Sequence, residues 1–328
     1  MLVNHLAQLT SWGQSGGAWA LDEIGRAGVL IFFVHTALVL MGSLERLEAR
    51  GGDGPLRRAF YVQRFYRLYP LSVTCVSAVL LVHFAVPGWG LPWVSFKNVA
   101  ANLLLVQNLT WSPPAIAPLW SLPYEVQMYL VLPFIFLLTK RRGAMAYLAV
   151  IWVVAAALGT YLMGADPRYL VVPYQYPFPW FVPTFLGGVF AFVLLRKWRR
   201  RLPAALWPVL IVAIFVVFQL FSMRRAELAM TLLGFAIPHF REMENGVVRA
   251  VAHQVAKYSY GVYLLHFPLL EVCFVHLKRL GVVGQSALFF ALLAMLAVAA
   301  YHWIEKPMID VGHKVSRRIV RERELGSE

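Results

Sequence analysis

The chain has 328 residues, 60% of them hydrophobic and only 14% charged, with a formal net charge of +14. Soluble domains carry about 25% charged residues, so this balance excludes an ordinary water-soluble fold and points to a polytopic membrane protein. The two cysteines, Cys75 and Cys273, lie inside apolar runs; they form no disulfide framework and no CxxC metal spacing, and read as small buried side chains.

A helix crosses a bilayer with roughly 20 apolar residues. In chain order the runs at 25–44, 69–87, 121–139, 144–163, 180–195, 204–222, 226–240, 258–277 and 284–304 predict nine spans of an all-α transmembrane bundle. The runs at 180–195 and 226–240 are the shortest. Residues 97–109 predict one further apolar helix, too short to cross. The opening residues lack the basic segment and long apolar core of a signal peptide. MLVNHL reads as the last turns of an apolar helix, and a stretch preceding it would raise the count to ten. No internal repeat stands out, so the reading is one membrane domain over 1–304 and a basic tail over 305–328.

Lys and Arg set orientation, because cytoplasmic loops are enriched in them. The segments 45–68, 140–142, 196–201, 241–257 and the tail from 305 hold 23 of the 30 basic residues; the alternate loops hold six. This split predicts a cytoplasmic C-terminus and accounts for the positive charge without nucleic acid.

Several residues carry possible chemistry. In RFYRLYP (64–70), Arg64 and Arg67 lie three apart and share a helix face, with Arg57 and Arg58 earlier and Pro70 opening the next span. They are either positive-inside anchors or a phosphate clamp, since guanidinium binds phosphate through paired charge-assisted hydrogen bonds. Tyr66 and Tyr69 suit a nucleobase or the aromatic belt. In PLWSLPYEVQMYLVLP (118–133), Ser121 is the expected N-cap, Pro123 suits the first turn, and Glu125 sits about one turn into the span. Glu125 favours the helix dipole, but a carboxylate at membrane depth is also a functional candidate suited to acid–base work. His35 and His266 sit mid-span and read as buried hydrogen-bonding partners. His5 lies at the same expected depth as Glu125, and a His–carboxylate pair makes a general base. No HxxxH or HExxH spacing suggests a metal.

Taken together, these blocks resemble the acyltransferase-3 family of integral membrane acyltransferases, bacterial members of which O-acetylate cell-surface glycans. GRAGVLIFFVHTALVLM (25–41), RFYRLYP (64–70), LWSLPYEVQMYLVLP (119–133), YSYGVYLLHFPLL (258–270) and YHWIEKPMI (301–309) are similar to its blocks in order. The family has ten spans, the first carrying an Arg and then a His. By resemblance His5 is that His, and the Arg has no counterpart here.

The resemblance implies acetyl-CoA, or another acyl-CoA, as donor co-substrate, with Arg64, Arg67 and Tyr69 at its nucleotide. It implies His5 as catalytic base, with Glu125 supporting it. Trp120, Ser121, His35 and His266 are the candidates on the acceptor side. The expected reaction is acyl transfer, acetyl by default, to a hydroxyl of a cell-envelope glycan or similar acceptor in the bacterial inner membrane. The partners expected are the lipid bilayer, acyl-CoA and the acceptor. A proton-coupled secondary transporter is the competing reading, since intramembrane Glu and His with interrupted spans such as PYQYPFPWFVPTFLGG (173–188) suit transport. A non-catalytic scaffold is the third, and it predicts no coenzyme A binding.

Overall fold

Most of this chain offers apolar side chains all round whole helical turns. In lipid a backbone has no water to bond, so such segments close their own hydrogen bonds as helices. A computed structural model describes residues 18–51, 53–86, 94–171, 175–198, 202–220 and 223–325. Their principal helices are α1 (Ala18–Gly51), α2 (Asp53–Ala85), α3 (Phe96–Leu103), α4 (Leu122–Leu138), α5 (Ala144–Ala165), α6 (Val182–Leu195), α7 (Trp207–Leu220), α8 (Met223–Ala236), α9 (Gly246–Leu270), α10 (Gly281–Ala300) and α11 (Lys306–Leu325). Two π-helical turns, Glu271–His276 and Tyr301–Glu305, extend α9 and join α10 to α11. Among the described residues the only extended pairing is an isolated bridge between Leu202 and Phe240. The expectation of an all-α bundle holds.

Among the described residues six helical stretches are long and apolar enough to cross a membrane, and Val182–Leu195 and Ala204–Phe218 are shorter apolar helices. The ninth expected run, 226–240, falls largely on α8. RFYRLYP lies inside α2, which begins at Asp53 and carries Pro70 in its interior. Helices continue beyond the hydrocarbon zone, where Arg and Tyr remain compatible with them. Residues 97–109 are not one helix: α3 stops at Leu103, Leu105 takes a left-handed φ of 56°, and a single turn resumes at Gln107. Buried Asn102 braces this break, donating to Asn98 O and Pro113 O and accepting from Ala115 N. The expected basic tail is helical from Lys306 to Leu325.

The chain divides into two units. The first holds Tyr61–Pro123 and Gly246–Arg318; the second holds Asp22–Phe60, Tyr124–Asn245 and the residues from Ile319. In the first, α9 and α10 pack side by side around Leu269, Leu270, Cys273, Phe274, Phe289 and Leu293. Lipid tails are as apolar as these side chains, so close packing rather than water release drives such contacts. A Cβ at Gly261 would stand 3.3 Å from Ala297 Cα, which marks how near the two helices come. The last helix packs on α2 through Gly312, where a Cβ would lie 2.8 Å from Tyr66 Cβ. Gln63 adds a hydrogen bond to buried Ser316 (2.9 Å).

In the second unit α6 is the most enclosed element, with every residue from Val182 to Leu194 buried. A helix apolar all round suits that position. Gly187 and Gly234 bring α6 and α8 into backbone contact, and a Cβ at Gly234 would overlap the Gly187 carbonyl. Gly188 lies against the Val34 carbonyl of α1, beside the stacked rings of Phe33 and Phe185 (4.4 Å). By contrast α5 leaves Val150, Val153, Val154, Leu158 and Tyr161 exposed. In a membrane helix such a face meets lipid.

Candidate functional site

Arg64 and Arg67 lie on one face of α2, one turn apart. Arg67 Nη1 donates to Glu305 Oε2, in an ion pair bridging 238 residues of sequence. The Arg67 guanidinium also lies over the Tyr260 ring, 5.4 Å from its centroid. Tyr260 is fixed in turn, its hydroxyl donating to Leu68 O at 2.7 Å. The π-helical turn ending at Glu305 sets the direction of the carboxylate, and such turns recur at functional sites. Glu305 is 1% exposed, whereas the Arg67 side chain keeps 29% of its surface accessible. A buried carboxylate is tolerated when paired, and this pair leaves further Arg67 donors for another anion.

Tyr69 is already engaged. Its hydroxyl donates to Leu104 O (3.1 Å) and its ring stacks on Phe65 (4.9 Å). It braces α2 against α3, and nucleobase stacking would compete with Phe65.

A second polar cluster of the first unit surrounds Ser121. Ser121 ends the 3₁₀ turn Ala117–Ser121. It meets the Tyr263 hydroxyl at 2.7 Å, and Tyr263 donates to Pro118 O at 2.8 Å. Trp120 is buried beside Ser121. One turn along α9, His266 is 1% exposed, and its Nδ1 lies 3.1 Å from Val262 O. A carbonyl only accepts, so Nδ1 carries the proton. His266 and Tyr263 close one end of a groove of about 460 Å³ along α9, which continues past Val262, Ser259, Tyr258 and Val255 to Gln254.

Glu125, in the second unit, is 5% exposed in the first turn of α4 and accepts a hydrogen bond from the Tyr129 hydroxyl one turn on. Tyr124 beside it both accepts from Tyr176 N (2.9 Å) and donates to Tyr176 O (3.1 Å). His35 corrects its expectation as a buried partner: it is exposed on α1 and lines an apolar groove of about 560 Å³ with Leu38, Trp207 and Phe240. Position 35 falls on the α1 face opposite Phe33, Val34 and Ala37, which fill the core. His5 lies outside the described residues.

The structure therefore joins Arg67 to Glu305 and Tyr260, Ser121 to Tyr263, and Glu125 to Tyr129. Sequence reading missed Glu305, Tyr260 and Tyr263. Glu305 carried a usable signal, an acid directly following an apolar run. The reading closed that span at 304 and assigned the acid to the tail. Buried Glu227 of α8 was also passed over.

Comparison with curated proteins and with solved structures returns no match. The acyltransferase-3 family profile, described as an acyltransferase domain, matches residues 1–304. That covers the clusters above except the Glu305 side of the ion pair and the whole of α11, and the chain accordingly belongs to the acyltransferase-3 family and is a membrane acyltransferase.

Proposed function

We propose that the protein transfers an acyl group, acetyl by default, from acyl-CoA to a hydroxyl of a cell-envelope glycan or similar acceptor in the bacterial inner membrane. The observation that carries this reading is Arg67, a braced and part-exposed guanidinium with donors beyond the one engaged by Glu305. Such a group suits the phosphates of coenzyme A better than a mobile surface arginine, because less side-chain freedom is lost on binding. Arg64, one turn away, supplies a second positive charge.

The charge asymmetry of the loops supports a cytoplasmic mouth at these arginines and a cytoplasmic C-terminus. The groove along α9 suits the long, thin pantetheine arm: from Gln254 to His266 an α-helix advances about 18 Å. His5 serves as general base and Glu125 supports it, with Trp120 and Ser121 toward the acceptor. The base removes the acceptor hydroxyl proton, and the oxygen attacks the thioester carbonyl. The C–S bond breaks, and the thiolate leaves and is protonated as free coenzyme A. Holding both reactants in one site turns a bimolecular step into an effectively unimolecular one.

Calorimetric titration of the detergent-purified protein with acetyl-CoA tests the reading. Saturable binding is expected, with a loss of about a hundredfold in the Arg64→Ala/Arg67→Ala variant, the scale of two charge-assisted contacts. Equal binding by both proteins would remove the phosphate role, and substrate uptake by vesicles without acyl-CoA would favour a transporter.

A further inference from the structure

We infer that Glu305 is a positioning residue for Arg67, holding one corner of the guanidinium so that its remaining edge faces an organic phosphate. The inference deepens the coenzyme A reading and rests on it. Glu305 Oε2 accepts from Arg67 Nη1, while Oε1 is buried and makes no hydrogen bond among the described residues. The contact therefore uses one oxygen and one nitrogen. Arginine–carboxylate pairs are frequently fork-shaped, two oxygens against two nitrogens, and this one is not. The single-point contact leaves further guanidinium donors uncommitted to Glu305.

Tyr260 supplies the second constraint. Its ring lies under the guanidinium, and its hydroxyl is anchored on the carbonyl of Leu68, the residue after Arg67. The guanidinium is thus fixed at one corner and across one face. The carboxylate itself sits at the end of a π-helical turn and is 1% exposed, so it has little freedom to follow a ligand. Glu305 does not touch phosphate on this account. It acts through Arg67, and its effect should vanish when Arg67 is absent. The opposite role, an acid competing with phosphate for Arg67, predicts the opposite sign.

The test is a double-mutant cycle on the full detergent-purified chain, read as coenzyme A affinity by calorimetry. Glu305→Gln should weaken binding about tenfold, the scale of one charge-assisted hydrogen bond. In an Arg67→Ala background the same change should have almost no effect, and Glu305→Asp should recover part of the loss. Tighter or unchanged binding by Glu305→Gln, or losses that simply add, would overturn the inference. Unchanged binding by Arg67→Ala would instead remove the coenzyme A reading, so the two failures are distinct. Should Glu305→Gln yield no monodisperse protein, the cycle is run with Glu305→Asp. A few-fold loss confined to the Arg67 background is then expected, and a loss persisting without Arg67 overturns the positioning role.

Discussion

Glu125 accepts a hydrogen bond from Tyr129, and both side chains are buried. If it supports the base, its contribution lies in the chemical step and not in donor binding. Glu125→Gln should lower acyl transfer to the cell's own envelope fraction by roughly 10²–10⁴-fold, the range of general acid–base contributions. Its acetyl-CoA affinity should stay within about twofold of wild type. Tyr129→Phe removes only the hydroxyl and should cost about tenfold in transfer, one hydrogen bond to a charged group. Wild-type transfer by Glu125→Gln would remove it from the machinery. At this scale the sequence was readable where a residue type alone implied chemistry. Glu125 stands out because a carboxylate is costly at membrane depth, and Arg67 because it shares a helix face with Arg64 and guanidinium suits phosphate. Their partners were not all found: Glu305 is 238 positions from Arg67, and nothing local encodes that meeting.

Helix contacts depend on what is missing from the side chains as much as on what is present. At Gly234 a Cβ would overlap the Gly187 carbonyl, so α6 and α8 can approach only with hydrogen at that position. Gly234→Leu should force the helices apart at a cost at or above the 1–3 kcal/mol of ordinary overpacking. Thermal unfolding in detergent should show a marked fall in Tm or no monodisperse protein. Gly28→Ala is the matched control: a Cβ there meets nothing within 4 Å, and a helical Gly→Ala change should be neutral or stabilising by about 0.5–1 kcal/mol. Equal effects of the two would refute the close-contact account. All nine apolar runs proved to lie largely on helices, because composition settles that question in lipid. Helix ends were less legible: hydropathy marks where the hydrocarbon stops, not where the helix does, so the run at 69–87 predicts a span while α2 itself begins at Asp53. Leu105 turned left-handed at a position with no glycine to announce it.

At the scale of the whole molecule, the charge of the loops predicts sidedness. With 23 of 30 basic residues in alternate segments, a reporter fused after Glu328 should be active when it folds only in the cytoplasm. A reporter that works only on the far side should stay silent there. The reverse pattern would invert the route proposed for acyl-CoA and acceptor. Fold class was legible because it follows from bulk composition. The candidate site was legible in part, as residues without their pairing.

The π-helical turn at Tyr301–Glu305 has a further consequence, for chain length. Each α-helical residue advances the side-chain direction by about 100°. The wider turn resets that phase before α11 begins, and the contacts of Glu305 with Arg67, Gly312 with Tyr66 and Ser316 with Gln63 all inherit the reset. This stretch therefore counts residues. Side chains between the contact points can vary, but the loss or gain of a single position from 301 to 316 would rotate the contacts that follow it out of phase with those before it. Related chains should differ here by substitution and hold the spacing constant.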